Sequence, residues 1–278
     1  MFTTLIDVQR LSEHYEDLNW VIVDCRFSLA DTTAGRTAYE KAHIPGAVYA
    51  HLDDDLSGPP VTDRGRHPLP TPSALTKMFG RLGISADTQV IAYDDVNGMV
   101  ASRLWWMLRY MGHTAVAVLD GGWQSWQAAD LPTFGGVEFN APAVFTGSPQ
   151  HSWLVQVGEI PAVSLLVDSR GAERYRGEVE MIDKKAGHIP GAVNYFYQQN
   201  WGEDGRYLPA NQIRQQMSQL LGNTPPHEAV FYCGSGVSAC ANLLALAHAG
   251  LGNARLYVGS WSEWSGDDKR PIAVGDSS

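Results

Sequence analysis

Short runs of apolar, largely β-branched residues alternate along the chain with longer stretches whose apolar residues recur at helical spacing. The short runs predict strands at Trp20–Val23, Gln89–Tyr93, Ala115–Leu119, Ser164–Val167, Ala229–Tyr232 and Ala254–Val258. The longer stretches predict helices at Pro72–Leu82, Ala101–Met111, Asn211–Leu221 and Ser238–Ala249. Apolar strands that alternate with helices indicate parallel sheets covered by helices on both faces. The pattern therefore predicts an α/β fold.

This series of elements occurs twice. The six residues His43–Val48 recur letter for letter as His188–Val193, and the strand end Asp24–Arg26 recurs as Asp168–Arg170. Glycines and tryptophans then follow in matching order, Gly98 with Gly236, Gly121 with Gly259, Trp123 with Trp261 and Trp126 with Trp264. Such self-similarity indicates a tandem duplication. We expect two similar domains, at residues 1–135 and 150–278, joined by a linker around Leu131–His151.

Charge and cysteine content narrow the class of protein. The 20 Lys and Arg residues against 30 Asp and Glu give a net charge of −10, and no basic stripe of the kind a nucleic-acid-binding protein carries is present. No apolar run approaches the roughly 18 residues of a membrane span, and the first residues lack the pattern of a secretory signal. Three cysteines, an odd number, cannot form a disulfide framework. We expect a soluble cytoplasmic protein that binds neither nucleic acid nor membrane.

Cys233 occupies the position with the most evident chemistry. It follows the predicted strand Ala229–Tyr232, and ligands of open α/β sheets bind at the carboxyl ends of strands. The loop that follows contains Gly234 and Gly236, which let it curl so that successive N–H groups point inward ahead of a helix. A thiol in such an anion-binding loop is favoured as thiolate and can act as a nucleophile. The alternative is a small buried apolar residue.

The other cysteines and the repeated loop sharpen this interpretation. Cys25 ends a strand and Cys240 lies one turn into a helix, so both are expected to be structural. The loop of the first half begins with Asp94 in place of the thiol. A carboxylate cannot perform nucleophilic sulfur chemistry, so we expect catalysis only in the second domain.

Taken together, these motifs resemble the tandem rhodanese-domain sulfurtransferases. The resemblance rests on the doubled His-Ile-Pro-Gly-Ala motif, the Asp-x-Arg strand ends, the Trp-x-x-Trp endings and the loop Cys233–Cys240. A Cys-Gly-Ser-Gly loop is typical of the 3-mercaptopyruvate sulfurtransferases, whereas thiosulfate-preferring members usually have Arg-Lys where this chain has Gly234 and Ser235. The resemblance implies two rhodanese-like domains, of which the second is catalytic, and no cofactor or metal.

The resemblance also implies a mechanism. Sulfur would pass from a small anionic donor, 3-mercaptopyruvate or thiosulfate, to a persulfide on Cys233. It would then pass to a small thiol, a thioredoxin-like thiol or cyanide. Arg174 matches the arginine that holds the donor's anionic group, and the loop residues Gly234, Gly236, Val237 and Ser238 would line the same site. The stretch Val179–Lys185 contains no arginine, so the sequence offers Arg174 alone for this role.

Ser235 matches a proton-relay serine of the family. His43 and Asp31 are the candidates in the sequence to complete a Ser-His-Asp arrangement with it. The alternative for His43 is a structural role, because His188 repeats it in the second half where no relay is expected.

Other functions remain as alternatives. A thiosulfate-preferring enzyme shares the same loop chemistry, and a non-enzymatic rhodanese scaffold shares the fold, although the intact Cys233 argues against a scaffold. A phosphatase of the Cys-x5-Arg type needs an arginine where this chain has Ala239. A metal site built from His43, His188 and Cys233 lacks ligand-like spacing.

Overall fold

The structure, a computed structural model, describes residues 1–61 and 64–276. It divides into two compact units. The first consists of Met1–Gly58, Pro70–Gln150 and Glu203–Arg206, and the second of Pro59–Leu69, His151–Gly202 and Tyr207–Ser278. The segment Pro59–Leu69 lies in the middle of the first half of the sequence but belongs to the second unit. Cys233 also belongs to the second unit, so residues of this segment are available to surround it.

The first unit is built on a parallel sheet. Its elements are β1 (Leu5–Ile6), α1 (Val8–Ser12), β2 (Trp20–Asp24), α2 (Ala34–Lys41), β3 (Val48–Tyr49), α3 (Pro72–Arg81), β4 (Gln89–Tyr93), α4 (Ala101–Tyr110), β5 (Val116–Leu119) and α5 (Gly122–Ala128). Among the described residues the strand order is β1-β5-β4-β2-β3, and every pair is parallel. The central strand β4 is buried along its whole length, as expected for a strand covered on both faces.

The second unit repeats this plan with fewer strands. Its elements are β6 (Leu165–Asp168), α6 (Ala172–Arg176), β7 (Ala192–Asn194), α7 (Ala210–Leu221), β8 (Ala229–Tyr232), α8 (Ala239–His248), β9 (Arg255–Leu256) and α9 (Ser260–Gly266), with short 3-10 turns at His151–Trp153, Val157–Ala162, Tyr197–Asn200 and Pro226–Glu228. The described strands pair in the parallel order β7-β6-β8-β9. Two helix-flanked parallel sheets confirm the predicted α/β class. In the part of the chain that is described, no helix is both long and apolar enough to span a bilayer.

The repeated strand ends have a structural explanation. Asp24 and Arg26 form a buried ion pair with an N–O distance of 2.6 Å, and Asp168 and Arg170 form the same pair at 2.6 Å. Each guanidinium also lies over an indole ring, Arg26 at 4.7 Å from the centroid of Trp123 and Arg170 at 4.6 Å from that of Trp261. Because a buried charge must be paired to be tolerated, these Asp-x-Arg motifs anchor each sheet to its last helix.

Candidate active site

Cys233 lies at the carboxyl end of strand β8, at the carboxyl edge of the second sheet. β8 lies between β6 and β9, and Cys233 is the residue that follows it. Its N–H donates to Ser260 Oγ at 3.2 Å, and its carbonyl oxygen accepts from the Trp261 N–H at 3.0 Å. Both backbone groups are therefore fixed by the start of α9. The residue is only 2% exposed, so a reacting sulfur there is largely shielded from bulk water.

The loop after Cys233 depends on glycine at one position. Gly236 has φ of 76°, and a Cβ added to it would lie 2.5 Å from the carbonyl oxygen of Val258. Left-handed backbone with no room for a side chain requires glycine. The loop turns tightly here and enters α8 at Ala239. Cys240, on the first turn of α8, donates its thiol proton to the Gly236 carbonyl at 3.4 Å, which supports the structural role expected for it.

The equivalent loop of the first unit contains its own anion. Asp94 follows β4, and its carbonyl oxygen accepts from the Trp123 N–H at 2.8 Å, as that of Cys233 does from Trp261. The buried Asp94 carboxylate accepts four backbone N–H bonds of 2.7–2.9 Å, from Val96, Gly98, Val100 and Ala101. The first unit thus demonstrates that a strand–loop–helix turn of this type gathers N–H donors around the side chain that ends the strand.

The structure pairs Ser235 with His67. Ser235 Oγ and His67 Nδ1 are 2.7 Å apart, and each residue is 6% exposed. His43 was the candidate from the sequence for this position, whereas the histidine bonded to Ser235 in the structure is His67. Its segment is fixed to the second unit by the Arg66 N–H, which donates to Ser262 Oγ at 3.0 Å. Gly65 packs closely there too, since a Cβ on it would lie 2.5 Å from the Gly259 carbonyl oxygen.

His43 and Asp31 occupy other environments, both within the first unit. The His43 ring is fully buried, stacks on Tyr39 with centroids 4.2 Å apart and donates from Nδ1 to the Tyr39 carbonyl at 2.7 Å. His188 repeats this arrangement on Tyr175, at 3.7 Å and 2.8 Å, so the repeated histidine packs the turn in both units. Asp31 is exposed, and its carboxylate accepts from the Thr33 N–H and hydroxyl at 3.0 and 2.7 Å.

Cys25 is unsuited to nucleophilic chemistry. Burial raises the pKa of its thiol well above the ordinary value, and the carboxylates of Asp24, Asp94 and Asp55 raise it further. A thiol in such surroundings stays protonated at neutral pH. Cys25 therefore behaves as an apolar core residue of the first unit.

Two arginines converge on the Cys233 loop at Gly234. A Cβ added to Gly234 would lie 3.2 Å from Arg66 Nη2 and 3.7 Å from Arg174 Nη1. Arg174 is the arginine expected from the sequence, on α6. Arg66 was not expected, because its segment lies far away along the chain. Each side chain is about a quarter exposed, at 28% and 25%, so both guanidinium groups are within reach of a small anion.

Two carboxylates hold these arginines. Arg174 donates from Nε and Nη2 to Glu180, with a shortest distance of 2.7 Å, and from Nη2 to Asp183 at 3.0 Å. Arg66 donates from Nη1 to Asp183. The side chains of Glu180 and Asp183 are only 3% and 2% exposed. In the sequence, the stretch Val179–Lys185 is notable only for containing no arginine, and nothing in it marks these two carboxylates as partners of Arg174.

Arg66 and His67, which were not expected from the sequence, share one signal. They lie between Ser57 and Pro72, in a region where the first half is longer than the second, because the offset between matching residues falls from 145 at His43 to 138 at Gly98. A region that is extended in one copy, and that carries both a histidine and arginines, is a candidate to complete a site. In residues 1–61 and 64–276, no cluster of three or more His, Cys, Asp or Glu side chains could hold a metal ion.

Comparison with known proteins agrees with this architecture. The family model of the rhodanese-like domain matches residues 7–129 and 152–267. A probable 3-mercaptopyruvate sulfurtransferase of Pseudomonas aeruginosa is 45% identical over 283 residues, covering 98% of both chains. A putative thiosulfate sulfurtransferase of Mycobacterium tuberculosis is 39% identical over 262 residues, covering 91% of this chain and 90% of the other.

A solved structure extends the comparison. The 3-mercaptopyruvate sulfurtransferase from Leishmania major superposes with a TM-score of 0.85 at 34% identity, covering 97% of this chain and 76% of that one. Two matched domains, near-complete coverage and the same fold lead to one conclusion. The chain belongs to the tandem rhodanese-domain sulfurtransferases.

Proposed function

We propose that this protein transfers sulfur from 3-mercaptopyruvate to a thiol acceptor through a persulfide on Cys233. The observation that carries the proposal is the convergence of three features on one loop of the second unit. These are the shielded Cys233, the Ser235–His67 pair and the two guanidinium groups beside Gly234. The high identity to a probable 3-mercaptopyruvate sulfurtransferase supports the choice of donor.

The donor would be bound by Arg174 and Arg66. Mercaptopyruvate carries a single carboxylate, and a guanidinium presents N–H donors in a planar fork that suits a carboxylate. Arg174 Nη1 and Arg66 Nη2 both face Gly234, next to the nucleophile. A carboxylate held there would bring the thiol sulfur at the other end of the small donor towards Cys233.

In the first half-reaction the Cys233 thiolate attacks the thiol sulfur of the donor. A sulfur–sulfur bond forms, the carbon–sulfur bond of mercaptopyruvate breaks, and its electron pair leaves on carbon as the enolate of pyruvate. The proton of the donor thiol must then reach the enolate. Ser235, hydrogen-bonded to His67 Nδ1 at 2.7 Å, is the pair suited to move it. The products are pyruvate and an anionic persulfide on Cys233.

In the second half-reaction an acceptor thiolate attacks the outer sulfur of the persulfide. A new sulfur–sulfur bond forms on the acceptor, and the Cys233 thiolate is released. A small thiol, a thioredoxin-like thiol or cyanide can serve as acceptor by the same displacement. The persulfide anion would be stabilised by loop N–H groups, in the way that those of the first unit hold the Asp94 carboxylate.

Thiosulfate is the second candidate donor, and Arg66 is the observation that favours it. Thiosulfate is a dianion, and a second guanidinium beside Gly234 supplies a cationic contact that the sequence alone did not offer. The Cys233 thiolate would attack its outer sulfur and release sulfite. The resulting persulfide is the same, so the two candidates differ only in the donor.

Mass spectrometry of a single half-reaction tests the proposal. The protein is treated with mercaptopyruvate in the absence of acceptor and then digested. The peptide containing Cys233 should gain about 32 Da, one sulfur atom, as expected for a covalent intermediate, with release of one equivalent of pyruvate. Cys233→Ser should show neither, whereas Cys25→Ala and Cys240→Ala should retain both. A gain of sulfur on Cys240, or pyruvate release by Cys233→Ser, would overturn the assignment.

A further inference from the structure

The two arginines beside Gly234 belong to a cluster of four charged side chains. We call Arg66, Arg174, Glu180 and Asp183 the arginine–carboxylate cluster. Asp183 lies between the guanidinium groups and accepts from both, and Glu180 accepts from Arg174. Glu180 also accepts the N–H groups of Ile182 and Asp183, at 3.0 and 3.1 Å. The loop that carries the carboxylates is thereby held in shape.

The carboxylates bind one edge of each guanidinium and leave the other edge towards the catalytic loop, where Asp183 Oδ2 also lies 3.8 Å from a Cβ added to Gly234. Arg174 uses Nε and Nη2 for Glu180 and Asp183, while Nη1 faces Gly234. Arg66 uses Nη1 for Asp183, while Nη2 faces Gly234. The cluster therefore presents N–H donors to the donor site in a fixed orientation.

The same contacts cancel the charge of the arginines. The cluster holds two cations and two carboxylates. Burial acts to raise the pKa of Glu180, but the hydrogen bonds from Arg174 and from the N–H groups of Ile182 and Asp183 outweigh it and lower that pKa. Glu180 is therefore ionised at neutral pH. Arg170 reaches Glu180 at 3.5 Å, but it is already paired with Asp168 and adds no free charge.

We propose that Glu180 and Asp183 determine donor selectivity by neutralising the arginine pair, so that the site lacks the preference for a dianionic donor that two uncompensated guanidinium groups would give. This inference rests on the proposed function, because it concerns the donor site of that reaction. Coulomb energy is proportional to the charge of the ligand. Each buried carboxylate consequently repels thiosulfate twice as strongly as mercaptopyruvate, whereas the oriented N–H donors serve both.

Asp183→Asn and Glu180→Gln test this directly. Each replacement keeps the shape of the side chain and removes one negative charge. The ratio of kcat/KM for thiosulfate to kcat/KM for mercaptopyruvate should rise by about fivefold or more, as expected when one charge a few ångströms from the ligand is removed at a partly exposed site. The kcat/KM for thiosulfate should also fall more steeply with added salt than in the unmodified protein.

Glu178→Gln is the matched control. Glu178 lies on the same segment but pairs with Arg176 at 2.7 Å and is half exposed, at 53%. The Glu178→Gln variant also removes one negative charge, but at a position away from Gly234. The ratio of kcat/KM for the two donors should therefore stay unchanged.

Three results would count against the inference. The first is an unchanged ratio of kcat/KM for thiosulfate to kcat/KM for mercaptopyruvate in both test variants. The second is an equal loss of kcat/KM with both donors, which would mean that the carboxylates only position the arginines. The third is a shift of the ratio in Glu178→Gln as large as that in the test variants. The mass gain on Cys233 of the unmodified protein is a separate measurement, and it tests the proposed function. If that gain is absent, the proposed function fails; if it is present and the ratio does not move, only the selectivity inference fails.

Discussion

Ser235 Oγ lies 2.7 Å from His67 Nδ1, although 167 residues separate the two side chains along the chain. Both are buried and both belong to the second unit. A serine hydroxyl two positions after the proposed nucleophile, bonded to an imidazole, would give a short path for a proton next to Cys233.

Replacing either member of this pair should slow the first half-reaction. Ser235→Ala and His67→Gln are expected to lower kcat/KM for mercaptopyruvate by about a hundredfold, in the range of general acid–base contributions. If the two act as a unit, the double variant should lose little more than either single one. Stopped-flow measurement of pyruvate release gives the rates. Additive losses would show that the two residues act independently.

His43 provides the contrast. Its ring is fully buried against Tyr39, so His43→Gln should destabilise the protein by about 2 kcal/mol, as for loss of a buried packed and hydrogen-bonded side chain. Sulfur transfer per folded molecule should be retained. Urea unfolding measures the first effect and an assay at low temperature the second. A loss of turnover without a loss of stability would return His43 to the mechanism.

The arginines should act mainly on donor binding. Arg174→Lys and Arg66→Lys keep the positive charge but lose the planar fork. Each should raise KM for mercaptopyruvate by about tenfold, the equivalent of one hydrogen bond to a charged group, with a smaller effect on kcat. Arg176→Lys is the control, since Arg176 pairs with the exposed Glu178. If Arg66→Lys behaves like this control, Arg66 does not contact the donor.

The loss of stability at acid pH should depend in part on the protonation of Glu180. Its pKa in the folded protein is lowered from the ordinary 4.5, so the stability it contributes is complete above pH 4.5 and is lost as the pH falls through the lowered value. Glu180→Gln should therefore flatten the fall of Tm below pH 4.5. Glu173→Gln, at an exposed position on α6, serves for comparison. Identical acid limbs in Glu180→Gln and the unmodified protein would contradict this.

Asp94 should be a stability residue of the first unit. Asp94→Ala leaves four buried N–H groups without their acceptor, and the free energy of unfolding should fall by about 3 kcal/mol. Asp95→Ala, one residue further on, is the control, because the carbonyl oxygen of Asp95 accepts from Gln124 Nε2 at 2.6 Å and this bond is kept in the variant. Differential scanning calorimetry of both variants checks the difference. An unchanged Tm in Asp94→Ala would show that water replaces the carboxylate without loss.

The long central elements could be predicted from the sequence because their periodicity is strong. Gln89–Tyr93 and Ala229–Tyr232 are strands with the predicted bounds, and the helix predicted at Asn211–Leu221 begins one residue earlier, at Ala210. The two-residue strands β1 and β3 were not predicted. They contain too few residues to show a pattern, and they are strands because a neighbouring strand is there to pair with them.

The residues of the candidate site also fall into two groups: those marked by a local sequence pattern, and those that only the tertiary structure brings to the site. Cys233 could be found because a local signal, a strand followed by a glycine loop and a helix, marks it. The partner of Ser235 could not, because the repeated His-Ile-Pro-Gly motif drew attention to His43, whereas His67 stands in unrepeated sequence. Arg66 has no local signal of its own. Its position beside Gly234 follows from the tertiary anchoring of Gly65 and Arg66 to the start of α9.

The Asp94 loop has a consequence for the energetics of turnover. In the first unit the anion is covalently part of the chain, so its loop is permanently liganded. In the second, the corresponding charge arises only while Cys233 is ionised or carries sulfur. Under the proposed mechanism the persulfide would be an intermediate and also an anion held by the loop of its own domain, and it would stabilise the native state because only the folded loop binds it. The resting protein would then be the unliganded form, and the transferred sulfur would stabilise the site that holds it.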